Sequence, residues 1–276
     1  MKPIATIILS TILTSSVWLS CSSSDPEPEP QFPVAVVEPV IFNFTGTWDS
    51  ECGTLSRSVM DSLRLIYPQT SVINVHINGD GGVPADPLSS SESEALARFF
   101  NVFPHGDSTY HIPYTWFMCP GVVGGFNFST NAYHDLSISI DWTKTNLDPA
   151  LALDILPEVT GNQLTVKIKT EAVQNFPVPV FLSVYLTEDE LIANQVDDEG
   201  LVNGIHHDVF RHCLNEFNGD KIANSIGYST QSEYTYSTVL DNAWKKENMK
   251  ITVVVWYKDN VYGNLVHLGK RVDLLP

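Results

Sequence analysis

The sequence predicts an α/β domain followed by an all-β domain, and three observations point there. Within residues 36–147, apolar runs with strand spacing alternate with runs of helical spacing. From Pro149 onward the spacing settles at two, with turn residues between runs, as in an antiparallel sandwich. The length, 276 residues, is enough for two cores of ordinary size.

The N-terminus reads as a targeting segment. Lys2 gives a short positive region and Ile4 to Leu19 an apolar stretch of signal-peptide length, too short and polar for a membrane span. Leu19-Ser20-Cys21 then resembles the bacterial lipoprotein signal, so residues 1–20 are expected to be removed and Cys21 to carry lipid. An ordinary secretory signal cut near Ser20 is the alternative. Residues 21–35 include the Pro/acid tract DPEPEPQFP, an extended tether without core-forming capacity. With 32 acids against 15 bases and a net charge of −17, the chain is unsuited to nucleic acid or anionic lipid as main partner.

In the α/β domain, Val36 to Trp48 alternates as a central strand. Leu55, Val59, Leu63 and Ile66 share one face of a helix expected over Cys52 to Tyr67, which Pro68 ends. Ser71 to Ile77 is a second strand, and Ser91 to Phe100 a short helix with a Ser/Glu capping pattern. A further strand follows a proline, and a helix around Leu136 to Asn146 closes the domain. In the corner Thr47-Trp48-Asp49-Ser50-Glu51-Cys52, a strand ends in Trp and a helix opens on a cysteine. This resembles a thioredoxin active site in which Asp49 replaces the attacking cysteine and only the second, Cys52, survives. A carboxylate cannot exchange disulfides, although it caps a helix well. Such a fold also needs a cis-proline facing the helix. Pro113 and Pro120 compete, and Pro120 is favoured because Gly121-Val122-Val123-Gly124-Gly125 follows as strand and turn.

The all-β part, 148–276, is expected to be an immunoglobulin-like sandwich. Its strands are Leu151 to Val159, Leu164 to Val173, Val178 to Leu186, Lys250 to Tyr257 and Leu265 to Val272. An insertion from Asp189 to Ala223 reads as partly helical, with His206-His207-Asp208-Val209-Phe210-Arg211-His212 at its centre.

Phe44-Thr45-Gly46-Thr47-Trp48, Pro120 to Val123, His206 to Arg211 and Val253 to Asp259 together resemble the 28-kDa outer-membrane protein family, lipoproteins of Bacteroidota-type bacteria. The resemblance spans the mature chain and implies a thioredoxin-like domain plus β-sandwich at the outer membrane. The acidic residues soon after Cys21 resemble the export signal that places such lipoproteins on the cell surface. Many relatives keep Cys-x-x-Cys after the Trp, and this chain departs from them at Asp49.

The residues then support three functions. The leading one is a non-catalytic binding or structural module, with Trp48, Asp49, Cys52 and Pro120 as a degenerate active site that still takes an extended peptide or protein. The second is a thiol–disulfide oxidoreductase using Cys52 with Cys119, which Pro120 would bring near the helix. The third is a surface adhesin or glycan-capture component. Removal of Cys21 leaves Cys52, Cys119 and Cys213, an odd count. No cofactor is expected. The pair Asp208/His212 is too thin a ligand set for a metal, Asp197-Asp198-Glu199 reads as a solvated loop, and Tyr110, Trp116, Phe117, Phe126 and Phe128 read as core or groove lining.

Overall fold

A computed structural model describes residues 32–79, 84–102, 111–119, 122–260 and 263–275, and within these the side chains at 118, 119, 122–127 and 264 are not described. The expected signal segment, Cys21, Tyr110 and Pro120 lie outside them.

The first half alternates strand and helix in the expected order. It comprises β1 (Val40–Thr45), α1 (Arg57–Ile66) behind a π-helical turn (Cys52–Ser56), β2 (Ser71–His76), α2 (Ser91–Phe99), β3 (Tyr114–Cys119), β4 (Val122–Asn127) and α3 (Ala132–Asn146). β1 runs parallel to β2 and antiparallel to β3, which pairs with β4. α1 forms because Val59, Met60 and Leu63 recur on one face that buries against the sheet. α2 is fixed by a capping box in which Ser90 and Ser93 serve each other.

The second half is strand apart from a 3-10 turn at Lys246–Asn248: β5 (Leu151–Thr160), β6 (Gln163–Ala172), β7 (Val180–Glu188), β8 (Leu191–Asp197), β9 (Gly200–His206), β10 (Val209–Cys213), β11 (Asp220–Ala223), β12 (Gln231–Val239), β13 (Met249–Asp259) and β14 (Gly263–Asp273). The expected helical content of 189–223 is therefore corrected: β8 to β11 occupy it. The His-rich stretch spans the end of β9 and all of β10, so Asp208 and His212 do not share a helix face.

The sheets cross the expected boundary at 147/148. One sheet runs β14-β13-β7-β10-β2-β1-β3-β4, with β11 also on β7. Its junction is β10, antiparallel to β7 on one side and parallel to β2 on the other, where Val209 faces Asn74. A three-stranded sheet, β12-β6-β5, packs on β7, β13 and β14 through Leu153, Val166, Ile168, Leu182, Val184, Val253 and Val255. α1 and α3 cover β1 and β3 through Ile41, Phe117, Leu63 and Leu136. On the opposite face, α2 closes an aromatic core of Phe42, Phe44, Phe100, Tyr185, Phe210 and Trp256 drawn from both halves. The Trp256 indole, fully buried, donates to Ser183 Oγ at 2.6 Å. Among the described residues, no helix is long and apolar enough to cross a membrane.

Candidate functional site

The corner between β1 and α1 sits where three elements meet. Trp48 is fixed by its indole N–H donating to the Ile77 carbonyl at 2.8 Å, and Thr47 N–H donates to Asp86 Oδ2 at 2.7 Å. Asp49 Oδ1 accepts from Cys52 N–H at 2.8 Å, so the residue in the attacking-cysteine position is committed to capping the helix. Cys52 is a buried free thiol. Burial pushes its pKa well above the ordinary 9.0, with the Asp49 charge adding to it and contacts to Thr45 and Gly46 offsetting part. The nucleophilic thiolate is therefore suppressed.

The proline beside this corner is Pro113. The Ile112–Pro113 peptide is cis, and Pro113 leads into β3, where Tyr114 faces Phe44 at the end of β1 nearest the helix. Placing Pro113 here departs from the preference for Pro120, a residue outside the described ones, because two X-Pro sites flank the same strand and local sequence does not choose between them. It also moves Cys119. That residue pairs with Val122 at the far end of β3, roughly 20 Å of strand from Pro113. The structure thus brings Trp48, Asp49 and Cys52 together and leaves Cys119 apart.

What closes the corner is the hairpin β8–β9, a two-stranded sheet of its own. Val196 N–H donates to the Thr47 carbonyl at 2.8 Å. The Gln195 side-chain amide lies 3.2 Å from the Gly46 carbonyl and 3.0 Å from that of Asp49. Gly53 is required beneath it, since a Cβ there would stand 2.0 Å from the Val196 carbonyl oxygen. Under the hairpin lies a polar cavity of about 50 Å³ whose lining includes Asn43, Cys52, Asn74, His76, Gln195 and His206. His76 pairs with Asp86 at 3.0 Å, both buried, which holds the Asp86 carboxyl below its usual range against the burial that raises it. The His206 ring stands edge-on to His76, with centroids 5.1 Å apart, and its Nε2 is buried without a partner.

The His206–Arg211 stretch divides its labour. His207 Nδ1 pairs with Asp189, which also receives Arg64 at 2.8 Å and Lys250 at 2.8 Å. Asp208 takes Lys250 and Arg271, and Arg211 donates to Glu188 at 2.8 Å. This network ties α1 to β7, β13 and β14. Phe117 is core and Trp116 packs against the aromatic cluster. Among the described residues no group of three His, Cys, Asp or Glu is placed to hold a metal ion.

His76, Asp86 and Gln195 were not singled out by sequence reasoning. His76 ends a strand ten residues before its acid partner, and nothing local marks Gln195, whose contacts lie 146 and 149 residues away.

The fold and the site define a mostly β protein whose active-site-like corner is capped by its own carboxylate and covered by its own hairpin. The family model described as outer membrane protein Omp28 matches residues 128–267, just over half of the chain, and the chain belongs to that family. The membership supports an outer-membrane location. HBP35 of Porphyromonas gingivalis is similar in structure, with a TM-score of 0.66 and 12% identity over 87% of this chain and 76% of that one. The protein AGR_C_4864 of Agrobacterium tumefaciens is similar at a TM-score of 0.55 and 10% identity, over 88% of this chain and 96% of that one. At these identities the likeness is one of fold. No curated protein matches the sequence.

Proposed function

We propose that the chain is a surface-exposed outer-membrane lipoprotein, anchored through lipid on Cys21, whose thioredoxin-like half is a degenerate, non-catalytic binding or structural module. The order β2-β1-β3-β4, the helix opening at Cys52 and the cis-Pro113 beside it support the thioredoxin-like assignment. The observation that carries the loss of catalysis is the cover over the corner. Asp49 is spent on the Cys52 N–H, and Gln195 and Val196 occupy the Gly46, Thr47 and Asp49 carbonyls. The partner class is an extended peptide or protein, which reaches the Thr47 edge only with the hairpin displaced.

The test is disulfide reduction by the purified mature protein, with Asp49→Cys and Cys52→Ser variants beside it. The expected result is no turnover by the wild type and little gain in Asp49→Cys, because the hairpin still covers the new thiol pair. Wild-type turnover that disappears in Cys52→Ser would overturn the reading in favour of an oxidoreductase.

A further inference from the structure

The β8–β9 hairpin has its amphipathic pattern reversed. Its buried positions are Ala193, Gln195, Gly204 and His206, none of them a large apolar side chain, and only the half-buried Leu191 and Val202 add apolar area to that face. Ile192 (68% exposed) and Leu201 (68%) face outward, and Ile205 (50%) sits at the rim of the cavity. A surface hairpin ordinarily adheres by burying its apolar face. This one is held over the cavity by the Val196–Thr47 hydrogen bond, the Gln195 amide and the contact of His206 with His76, with a small apolar contact of Leu191 and Ala193 on Leu88 and Val209 at one end. Elements with so little apolar burial open at low cost relative to the core.

We propose that the β8–β9 hairpin is a lid over the Cys52 cavity, released by acid through His206. Several groups face His206. They are His76 from β2, Asp86 from the segment before α2, Arg57 and Asp61 from α1, and Cys52 from the turn, with His207 beside it in the chain. Of these, Asp86 is already paired with His76, and no carboxylate is hydrogen-bonded to His206. A proton on His206 therefore adds a buried charge beside His76 that the Asp86 charge and the hydrogen bond with the Ala193 backbone offset only in part, and lifting the hairpin returns that charge to water.

Burial, with the His76 ring adding to it, pulls His206 from the ordinary 6.5 down to about 4 in the closed form. A lowered histidine contributes closure that is fully present above about 6.5, falls away as pH drops toward 4 and is level below that. With the open form titrating near 6.5, the opening constant rises about 30-fold between pH 7.5 and pH 5. The inference rests on the reading above only in that the hairpin covers Cys52; it holds whether or not the corner retains any redox chemistry.

The experiment is hydrogen exchange of the intact mature protein from pH 7.5 to 5, corrected for intrinsic exchange, alongside labelling of Cys52 by 4,4′-dithiodipyridine. Protection of residues 191–206 is expected to fall at least tenfold while β7 and β13 stay protected, with Cys52 labelling faster in parallel. His206→Gln should flatten the dependence, and the wild-type series stands by itself should that variant not fold. Protection that does not change with pH overturns the lid. So does loss shared equally by β7 and β13, which would be global unfolding, or loss that follows residues 263–273 around the similarly lowered His267. Rapid labelling of Cys52 already at pH 7.5 overturns the covered-site reading as well, whereas slow labelling at both pH values removes the lid alone.

Discussion

Replacing Gly53 by alanine separates helix propensity from the hairpin contact, because the two act with opposite sign. In the first turns of a helix, glycine to alanine ordinarily gains up to about 1 kcal/mol. Here the added Cβ would lie 2.0 Å from the Val196 carbonyl oxygen and 2.9 Å from Gln195 Cγ. The side chain can swing away, but the strand carbonyl cannot move alone. Displacing β8 loses the Val196–Thr47 bond and the Gln195 amide contacts, at about 0.5–1.5 kcal/mol for each hydrogen bond, or about 2–4 kcal/mol together. The net expectation is a loss of about 1–3 kcal/mol, bounded above by the free energy of closing the hairpin. Urea denaturation measures the change, and hydrogen exchange across 191–206 locates it. A Gly53→Ala protein that gains stability while those amides keep their protection would refute the account of how the hairpin sits.

Other outcomes follow from the packing and the charges. Asp189→Ala strands Arg64 and His207 and leaves Lys250 only Asp208, so denaturation should show a loss of about 3–5 kcal/mol. The pairing of Asp189 with His207, Lys250 and Arg64 outweighs its burial and holds its carboxyl below the ordinary 3.8. Its contribution is thus present above 3.8 and lost as pH falls further, and the variant should show a flatter stability profile there. Asp49→Ala removes the cap on Cys52 N–H and should cost about 1 kcal/mol in the same assay. Trp256→Ala empties the centre of the aromatic core and should cost about 3–5 kcal/mol. His267 accepts from Ala150 N–H through Nε2 at 2.8 Å, and burial lowers it to about 4. Its imidazole should therefore remain neutral by NMR at pH 5.5, and titration near 6.5 would contradict its placement.

Much of the fold was legible because burial wrote it into the local pattern. β6, with Leu164, Val166, Ile168 and Thr170 turned inward, alternates without a break, and α1 shows its apolar face at helical spacing. The hairpin was missed because its pattern is inverted. Its exposed Ile192 and Leu201 would have read as an inward face, and its most buried positions, Ala193, Gln195, Gly204 and His206, carry little hydrophobic signal. The turn Asp197-Asp198-Glu199-Gly200 between two alternating runs was the available cue. The corner at Trp48 to Cys52 was recognised from its residue types, and Asp49 caps the helix as its chemistry suggested. The choice between Pro113 and Pro120, and the cover over Cys52, depend on contacts distant in sequence. Nor does any local signal announce that β10 joins β7 to β2, since a strand's composition says nothing of its neighbour's origin.

That junction bears on how the chain can be divided. The segment that defines family membership, 128–267, begins just after β4 ends, and so lacks β1, β2, β3 and β4. Produced alone, it would present the β10 edge that β2 normally occupies, and Tyr185, Phe210 and Trp256 without Phe42, Phe44 and Phe100 against them. An open strand edge beside bare aromatic surface is a recipe for self-association. The recognisable half of this protein is thus not a portable half: its heritable signature and its smallest soluble piece have different boundaries.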